Sequence, residues 1–471
     1  MILATSHPAA STRTFVPGFD GLRCRHCGAD APTGPIFVCS RCFGPLAAVY
    51  DYERVAASLT RGAIAARPAD LWRYAELLPV DDVPSAGLAV GCSPLVPAPR
   101  LAQRLGLRRV WVKDDSRNPT LSFKDRVVAV AAARARTFGF HTLACASTGN
   151  LAASVAATAA ALGLRAVVLV PADLEPAKIA QAAALGATVV RVSGAYDDVN
   201  RLCVELTDEL DGWAVVNVNL RPFYAEGSKT IAYEIAEQLG WRAPDAVVAP
   251  IASGSMYTKI ARGFDELATV GLIEQRSTRF IGGQAAGCGP VAAAFAAGVD
   301  EVVPVAQPRT IVKSLAIGSP ADGVPSLELA RGTGGSIEGL SDEAVVAAVR
   351  LLAETEGILT ETAGGVTVGA LQQATERGVI GPDDEVVLVI SGNGLKTLDV
   401  LGISTQPAIA PTLDAFEDLW ALVGEAVDEW RGDSEAPAQP ERDRPVVEPV
   451  GSAPATILRV QRTRHAGASQ G

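Results

Sequence analysis

Apolar residues along this chain follow two alternating rhythms: short continuous aliphatic runs of strand length, and longer stretches in which Ala, Leu and Val return at helical spacing. Runs of the first kind occur at Arg109–Asp114, Thr142–Ala146, Ala166–Val170, Thr188–Val192, Ala214–Val218, Ala246–Ala249, Phe280–Gly282 and Glu385–Ile390. Between most of them lie helical stretches, among them Val127–Thr137, Leu151–Leu162, Ala177–Leu185, Asp197–Leu210, Gly227–Leu239 and Glu343–Thr355. Strands separated in this way predict parallel α/β units with right-handed crossovers. With aromatic residues at 5%, the core must be built from small aliphatics, which suits helices laid closely on parallel strands. Ligands of such sheets collect at the carboxyl ends of the strands, so chemistry is sought in the turns that follow them.

The ends of the chain break the rhythm. Residues 1–21 carry no clear element, and a compact unit spans 22–50. A mostly helical connector from Asp51 to about Ala89 opens a body that runs over 51–404, with a smaller lobe inserted at about 130–225. Leu413, Phe416, Trp420, Val423, Val427 and Trp430 recur at helical spacing behind Thr412, predicting an amphipathic helix over 412–430 docked on the body. The segment 432–471, rich in proline and mixed charge, is expected to be disordered.

Charge and cysteine usage narrow the function classes. A formal net charge of −11 argues against a phosphate-backbone binder, so nucleic acid is not an expected partner. The longest apolar run, Leu151–Val170, is broken by Gly163 and Arg165 and reads as helix then strand, so no membrane span is expected. No secretory signal is visible, and a cytoplasmic location follows as the expectation. Four of the eight cysteines form two C-x-x-C pairs, Cys24/Cys27 and Cys39/Cys42, each followed by a glycine that permits a tight turn. That pattern predicts a structural zinc ribbon; two disulfides are the competing reading and fit poorly with a reducing compartment.

Four stretches carry the candidate chemistry. In Arg117–Arg126, Lys124 stands at a helix start among Thr120, Ser122 and free backbone N–H groups, an environment suited to an anionic cofactor held covalently by the amine. The turn Ala146–Asn150 offers Ser147, Thr148 and Gly149 as a carboxylate cradle, with the Asn150 amide able to donate to a phenolate-type oxygen. The small residues Ser253, Gly254, Ser255 and Met256 could wrap a phosphate, and they match neither G-x-x-x-x-G-K-[ST] nor G-x-G-x-x-G. Ser391, at the exit of the last clear strand, can meet a ring nitrogen without bringing a charge. Each turn alone is an ordinary helix cap or strand exit. Together they supply an imine, a carboxylate cradle, a phosphate cup and a ring-nitrogen partner, the four needs of a pyridoxal phosphate enzyme.

The runs Lys113–Asp115, Asn118–Arg126, Ala146–Asn150, Glu226–Thr230 and Ser391–Lys396 resemble threonine synthase, a member of the fold-type II, tryptophan-synthase-β-like pyridoxal phosphate enzymes. The resemblance covers about Leu22 to Leu401, including a cysteine-rich ribbon found in one branch. It implies two three-layer α/β/α lobes with mainly parallel sheets behind a zinc ribbon. It further implies that Lys124 is the Schiff-base lysine, that Asn150 contacts the ring hydroxyl oxygen, that the Ser253–Met256 backbone holds the cofactor phosphate and that Ser391 faces the ring nitrogen. Ser147, Thr148 and Gly149 would hold the carboxylate of O-phosphohomoserine, which would leave as threonine and phosphate. Two positions depart from the family pattern. Leu151 stands where many members place a threonine, and an arginine common just before E-G-x-K-T is missing, leaving Arg221, with Lys113 or Lys229, as candidates for the substrate phosphate. A related β-replacement enzyme or a threonine/serine dehydratase is the alternative on the same scaffold, and a non-catalytic cofactor-binding or ribbon interaction protein the reading from another class. The oligomeric state is left open, a homodimer among the alternatives.

Overall fold

Three sheets organise the computed structural model, which describes residues 15–421 apart from 148, 175, 195 and 403–407. The largest has six strands in the order Ser336–Leu340, Arg279–Ala285, Ala246–Pro250, Glu385–Ile390, Arg109–Asp114 and Leu95–Pro97. All neighbours are parallel except the last pair, where Leu95–Pro97 runs antiparallel along the edge. The second sheet is wholly parallel, in the order Thr188–Val192, Arg165–Pro171, Thr142–Ala146 and Trp213–Val215. A three-stranded antiparallel ribbon, with Phe19–Cys24 between Asp30–Ala31 and Leu46–Tyr50, precedes both.

The central strands are aliphatic over most of their length because both of their faces are covered, with charged residues such as Glu385, Lys113 and Asp114 toward their ends. Along Glu385–Ile390 every residue is buried. Val387 and Val389 point into one core with Ile231, Tyr257 and Ile260, whereas Val386, Leu388 and Ile390 point into another with Val366, Leu371 and Leu352. The smaller sheet repeats the arrangement, Leu143 and Cys145 facing one way and Ala144 and Ala146 the other. Period-two side chains on a twice-covered sheet are apolar at most positions, which is the run pattern visible in the sequence. The ribbon shares a core with the smaller lobe: Leu22, Cys24 and Leu46 cluster with Val127, Val128 and Phe223.

The predicted helix over 412–430 is described as far as residue 421, where Thr412 Oγ1 accepts from the Ala415 amide at 3.3 Å. Phe416 and Trp420 stack on each other. Residues 1–14, the rest of that helix and the segment 432–471 lie outside the described residues. No helix among the described residues is long and apolar enough to cross a membrane.

Candidate active site

Lys124 begins the helix Lys124–Thr137, at the end of a turn whose backbone is held in an unusual conformation. Leu121 adopts φ +64°, a left-handed region costly for a branched side chain, and it is fixed there by hydrogen bonds. Its amide donates to Asn118 O at 2.8 Å and its carbonyl accepts from Asn393 N at 3.1 Å, while Phe123 N donates to Ser391 O at 2.9 Å. The turn before Lys124 is thereby laid against the turn after Glu385–Ile390, and Ser122 and Gly392 form an antiparallel bridge.

The amine of Lys124 has little to hold it. Its recorded hydrogen bond is to Tyr224 Oη at 3.3 Å, and it lies 4.6 Å from the centre of the Phe123 ring. Burial pushes its pKa down to about 8, against the opposing negative charges of Glu361 and Cys145. An amine in that range is uncharged in about a tenth of molecules at pH 7, far more than an ordinary lysine, and the uncharged form is what a nucleophile for a carbonyl carbon requires. Two residues earlier, Ser122 Oγ is buried without a protein partner.

The other predicted residues surround the same strand ends. Asn150 starts the helix Asn150–Leu162, and neither it nor Gly149 caps that helix with a side chain. Ser147 lies just after the strand Thr142–Ala146, its Oγ accepting from Gly149 N at 3.3 Å; Thr148 lies outside the described residues. Ser253–Met256 follow the strand Ala246–Pro250 and lead into the helix Ser255–Thr269, again without a side-chain cap. Gly254 takes φ +90°, and a Cβ there would meet Asp322 O at 2.5 Å, so the turn needs glycine for both conformation and space. Uncapped helix starts leave N–H groups free for an anion.

Glu361 lies at the centre of the group. Asn150 Nδ2 donates to its Oε2 at 2.9 Å and Ser391 Oγ to its Oε1 at 3.2 Å. Burial raises the Glu361 pKa, while those two hydrogen bonds and the charges of Lys396 and Lys124 oppose the rise. Lys396 Nζ donates to Asn150 Oδ1 at 2.7 Å and to Thr120 O at 2.6 Å, joining the two lobes across the cleft.

In the ribbon, the sulfurs of Cys24, Cys27, Cys39 and Cys42 all lie within 4.8 Å of one another, with Cys24 and Cys42 at 3.5 Å and Cys27 and Cys39 at 3.7 Å. Four sulfurs on one tetrahedral ion with bonds of about 2.3 Å stand about 3.8 Å apart, so the cluster has the dimensions of a metal site. The backbone amides of Cys27 and His26 donate to Cys24 Sγ, and the first of these leads in holding its pKa down to about 6. Although the Gly44 amide favours a thiolate at Cys42, the adjoining sulfurs push that thiol up to about 12, a conflict that a bound cation removes.

Residues 87–392 match the family model described as pyridoxal-phosphate dependent enzyme. The chain is 36% identical over 379 residues to threonine synthase of Methanocaldococcus jannaschii, an alignment spanning 80% of this chain and 93% of that protein. The chain belongs to the threonine synthase family. Threonine synthase of Methanosarcina acetivorans is 34% identical over 409 residues, covering 86% of this chain and 99% of its own. Among solved structures, a fungal L-serine ammonia-lyase from Rhizomucor miehei superposes with a TM-score of 0.58 at 22% identity, over 67% of this chain and 98% of that one, a likeness of fold.

Within this threonine synthase fold two expectations are corrected. Lys113 and Lys229 do not face a substrate phosphate, because both ammonium groups are fully buried and already held by carboxylates. Lys113 Nζ bonds Glu234 Oε2 at 2.6 Å, Ser93 O at 2.6 Å and Gln238 Oε1 at 2.9 Å. Lys229 Nζ pairs with Glu226 at 2.6 Å and Glu266 at 2.9 Å. Arg221 remains accessible, half exposed, 4.0 Å from Asp322. It lines a cavity of about 310 Å³ with Arg25, Ser255, Lys259 and Asp322. Leu151 is buried in the apolar cluster of the smaller lobe with Val127, Val128 and Leu143. Sequence reasoning missed Glu361, which sits alone before a run of small residues with no spacing to mark it, and gave Lys396 no role although it ends one of the motifs.

Proposed function

We propose that the chain converts O-phospho-L-homoserine and water to L-threonine and phosphate, with pyridoxal phosphate carried on Lys124. The observation that carries the reading is the desolvated, weakly held amine of Lys124 set among uncapped helix starts. The residues fit the cofactor: the Ser253–Met256 turn offers amides to its phosphate, Asn150 a donor to its ring oxygen, and Ser391 a hydroxyl to its ring nitrogen. When bound, that group supplies the electron-withdrawing ring that lets protons leave carbon atoms of the amino-acid substrate.

The chain's own residues do the rest. Ser147, Thr148 and Gly149 hold the substrate carboxylate at the positive end of the helix that Asn150 opens. Arg221 binds the substrate phosphate. Lys124, with its lowered pKa, takes and returns protons at Cα and Cβ. In net terms the bond between Cγ and the phosphate oxygen breaks, one proton leaves Cβ and one is added at Cγ, a hydroxyl from water adds to Cβ, and the remaining water proton leaves with phosphate. Four thiolates, from Cys24, Cys27, Cys39 and Cys42, hold a structural zinc ion.

Incubating the purified protein with O-phosphohomoserine and assaying phosphate and threonine together tests the assignment. Equal amounts of the two products are expected, and phosphate without threonine would overturn it.

A further inference from the structure

The ribbon touches the catalytic body through one charged contact that reaches the phosphate cup. Arg25 lies inside the first knuckle, between Cys24 and Cys27, and its backbone amide is fixed to Pro45 O at 2.9 Å. Its Nη1 donates to Asp322 Oδ1 at 2.5 Å, and the Asp322 side chain is 8% exposed. Asp322 is in turn built into the cup: its amide donates to Ser253 O at 2.8 Å, and its carbonyl is the atom that leaves no room for a Cβ on Gly254. The same carbonyl accepts from Ser326 N at 3.0 Å and Ser326 Oγ at 2.7 Å, anchoring it to the helix Gly323–Gly332. A continuous line of contacts thus runs from the four-cysteine cluster through Arg25 and Asp322 to Ser253 and Gly254.

We propose that Arg25 is a positioning residue for the cofactor-phosphate turn, acting from the metal-filled ribbon as its anchor. The proposal rests on the reading that Ser253–Met256 hold the cofactor phosphate and that the four cysteines hold zinc. A partly buried ion pair whose carboxylate is nearly covered is worth more than a surface pair, since losing the arginine leaves Asp322 with Arg221 at 4.0 Å as its remaining recorded cation. Metal fixes the two knuckle turns, and with them the origin from which a long flexible side chain reaches Asp322. The ribbon therefore contributes to cofactor affinity without touching the cofactor.

The test titrates cofactor-free protein with pyridoxal phosphate, following the absorbance of the lysine-bound form, for the wild type, Arg25→Ala, Arg25→Lys and Gly254→Ala, each with zinc present and after chelation. Far-ultraviolet circular dichroism and thermal melts confirm that each sample is folded. Arg25→Ala is expected to weaken binding about tenfold, the scale of coupling between contacting residues, with partial recovery in Arg25→Lys. Chelation is expected to weaken the wild type by a similar factor and to add little in Arg25→Ala, a non-additivity that a general loss of stability would not produce. Unchanged affinity in Arg25→Ala, or equal weakening of both proteins by chelation, would overturn the proposal. Gly254→Ala separates it from its premise. If that variant binds as the wild type, the phosphate-turn reading fails; if it binds weakly while Arg25→Ala does not, the positioning role alone fails.

Discussion

Lys113 and Lys124 flank the same turn, one in the strand before it and one in the helix after it, and their surroundings differ completely. Lys113 belongs to a closed network. Arg126 grips Asp115 through Nε and Nη2, both at 2.7 Å, and Glu234 through Nη1 at 2.5 Å and Nη2 at 2.7 Å, while Lys113 completes Glu234 from the other side. Two cations face two carboxylates, and Ser93 Oγ and Thr230 Oγ1 accept further guanidinium hydrogen bonds. Burial works to lower the Lys113 pKa and to raise that of Glu234; the Arg126 and Lys113 charges nevertheless hold Glu234 down to about 2. Lys124 has the Tyr224 phenol at 3.3 Å, the Phe123 ring beside it and, among the described residues, no carboxylate in salt-bridge contact. Satisfaction separates scaffold from chemistry here: a buried charge with all its partners holds structure, whereas a buried amine without them parts with its proton more readily than an ordinary lysine and is free to react.

The contrast predicts opposite phenotypes. Lys124→Ala should lower threonine formation by about 10³-fold or more, as loss of a proton-transfer group does, with little change in the melting temperature of the cofactor-free protein. A marked fall in melting temperature would make Lys124 a structural residue like Lys113. Arg126→Met should do the reverse and cost about 3–5 kcal/mol by leaving Asp115 buried without its cation and Glu234 with Lys113 alone. Denaturant midpoints measure this, and an unchanged midpoint would show the network to be dispensable. Arg221→Ala should raise KM for the phosphorylated substrate about tenfold, the worth of one charge-assisted hydrogen bond, and an unchanged KM would remove Arg221 from the substrate site.

The smallest expected effect is in pH dependence. Capture of pyridoxal phosphate by the cofactor-free protein needs the uncharged amine, so its rate should climb with pH and level off above about 8, well below the range of an ordinary lysine. Glu361, whose negative charge favours protonated Lys124, tunes that profile; Tyr224 Oη and Cys145 are the other titratable groups beside the amine. Glu361→Gln should move the plateau to lower pH. A shift in the other direction would mean that Glu361 acts through the position of Asn150 and Ser391 rather than through charge.

Much of this was legible in the residues. The strands Arg109–Asp114, Thr142–Ala146, Thr188–Val192 and Glu385–Ile390 have the limits their aliphatic runs implied. In Thr142–Ala146 and Glu385–Ile390 burial on both faces leaves little freedom of composition, whereas the edge strand Thr188–Val192 has no buried residue and is marked by its β-branched run. Ser336–Leu340 went unseen: with Glu338 and Gly339 inside it, this edge strand carries no aliphatic run. So did the helix Thr362–Glu376, whose Gly364 and Gly365 weaken the helical pattern. A Cβ at Gly365 would meet Val345 O and Val349 Cγ2, each at 2.6 Å, so the glycine serves close helix packing rather than a turn. Lys124 and its three companion turns could be found because each follows a strand or opens a helix. Glu361 could not be, and Lys113 and Lys229 were misread, because whether a charge is already paired depends on contacts distant in sequence.

The left-handed turn at Leu121 has a consequence for the order in which the protein can be made. Its carbonyl is held by Asn393 N, its neighbour Phe123 by Ser391 O, and the strand beneath it pairs with Glu385–Ile390 along its whole length. At about 5–20 residues per second on the ribosome, the segment around Lys124 emerges well before the strand that fixes its backbone. Until that last strand is synthesised, only the local bond to Asn118 O holds Leu121 in its costly conformation, and the reactive lysine has no finished setting. A nascent chain stopped short of Glu385 should therefore fail to capture pyridoxal phosphate, so that cofactor loading waits for the last strand and the turn that follows it.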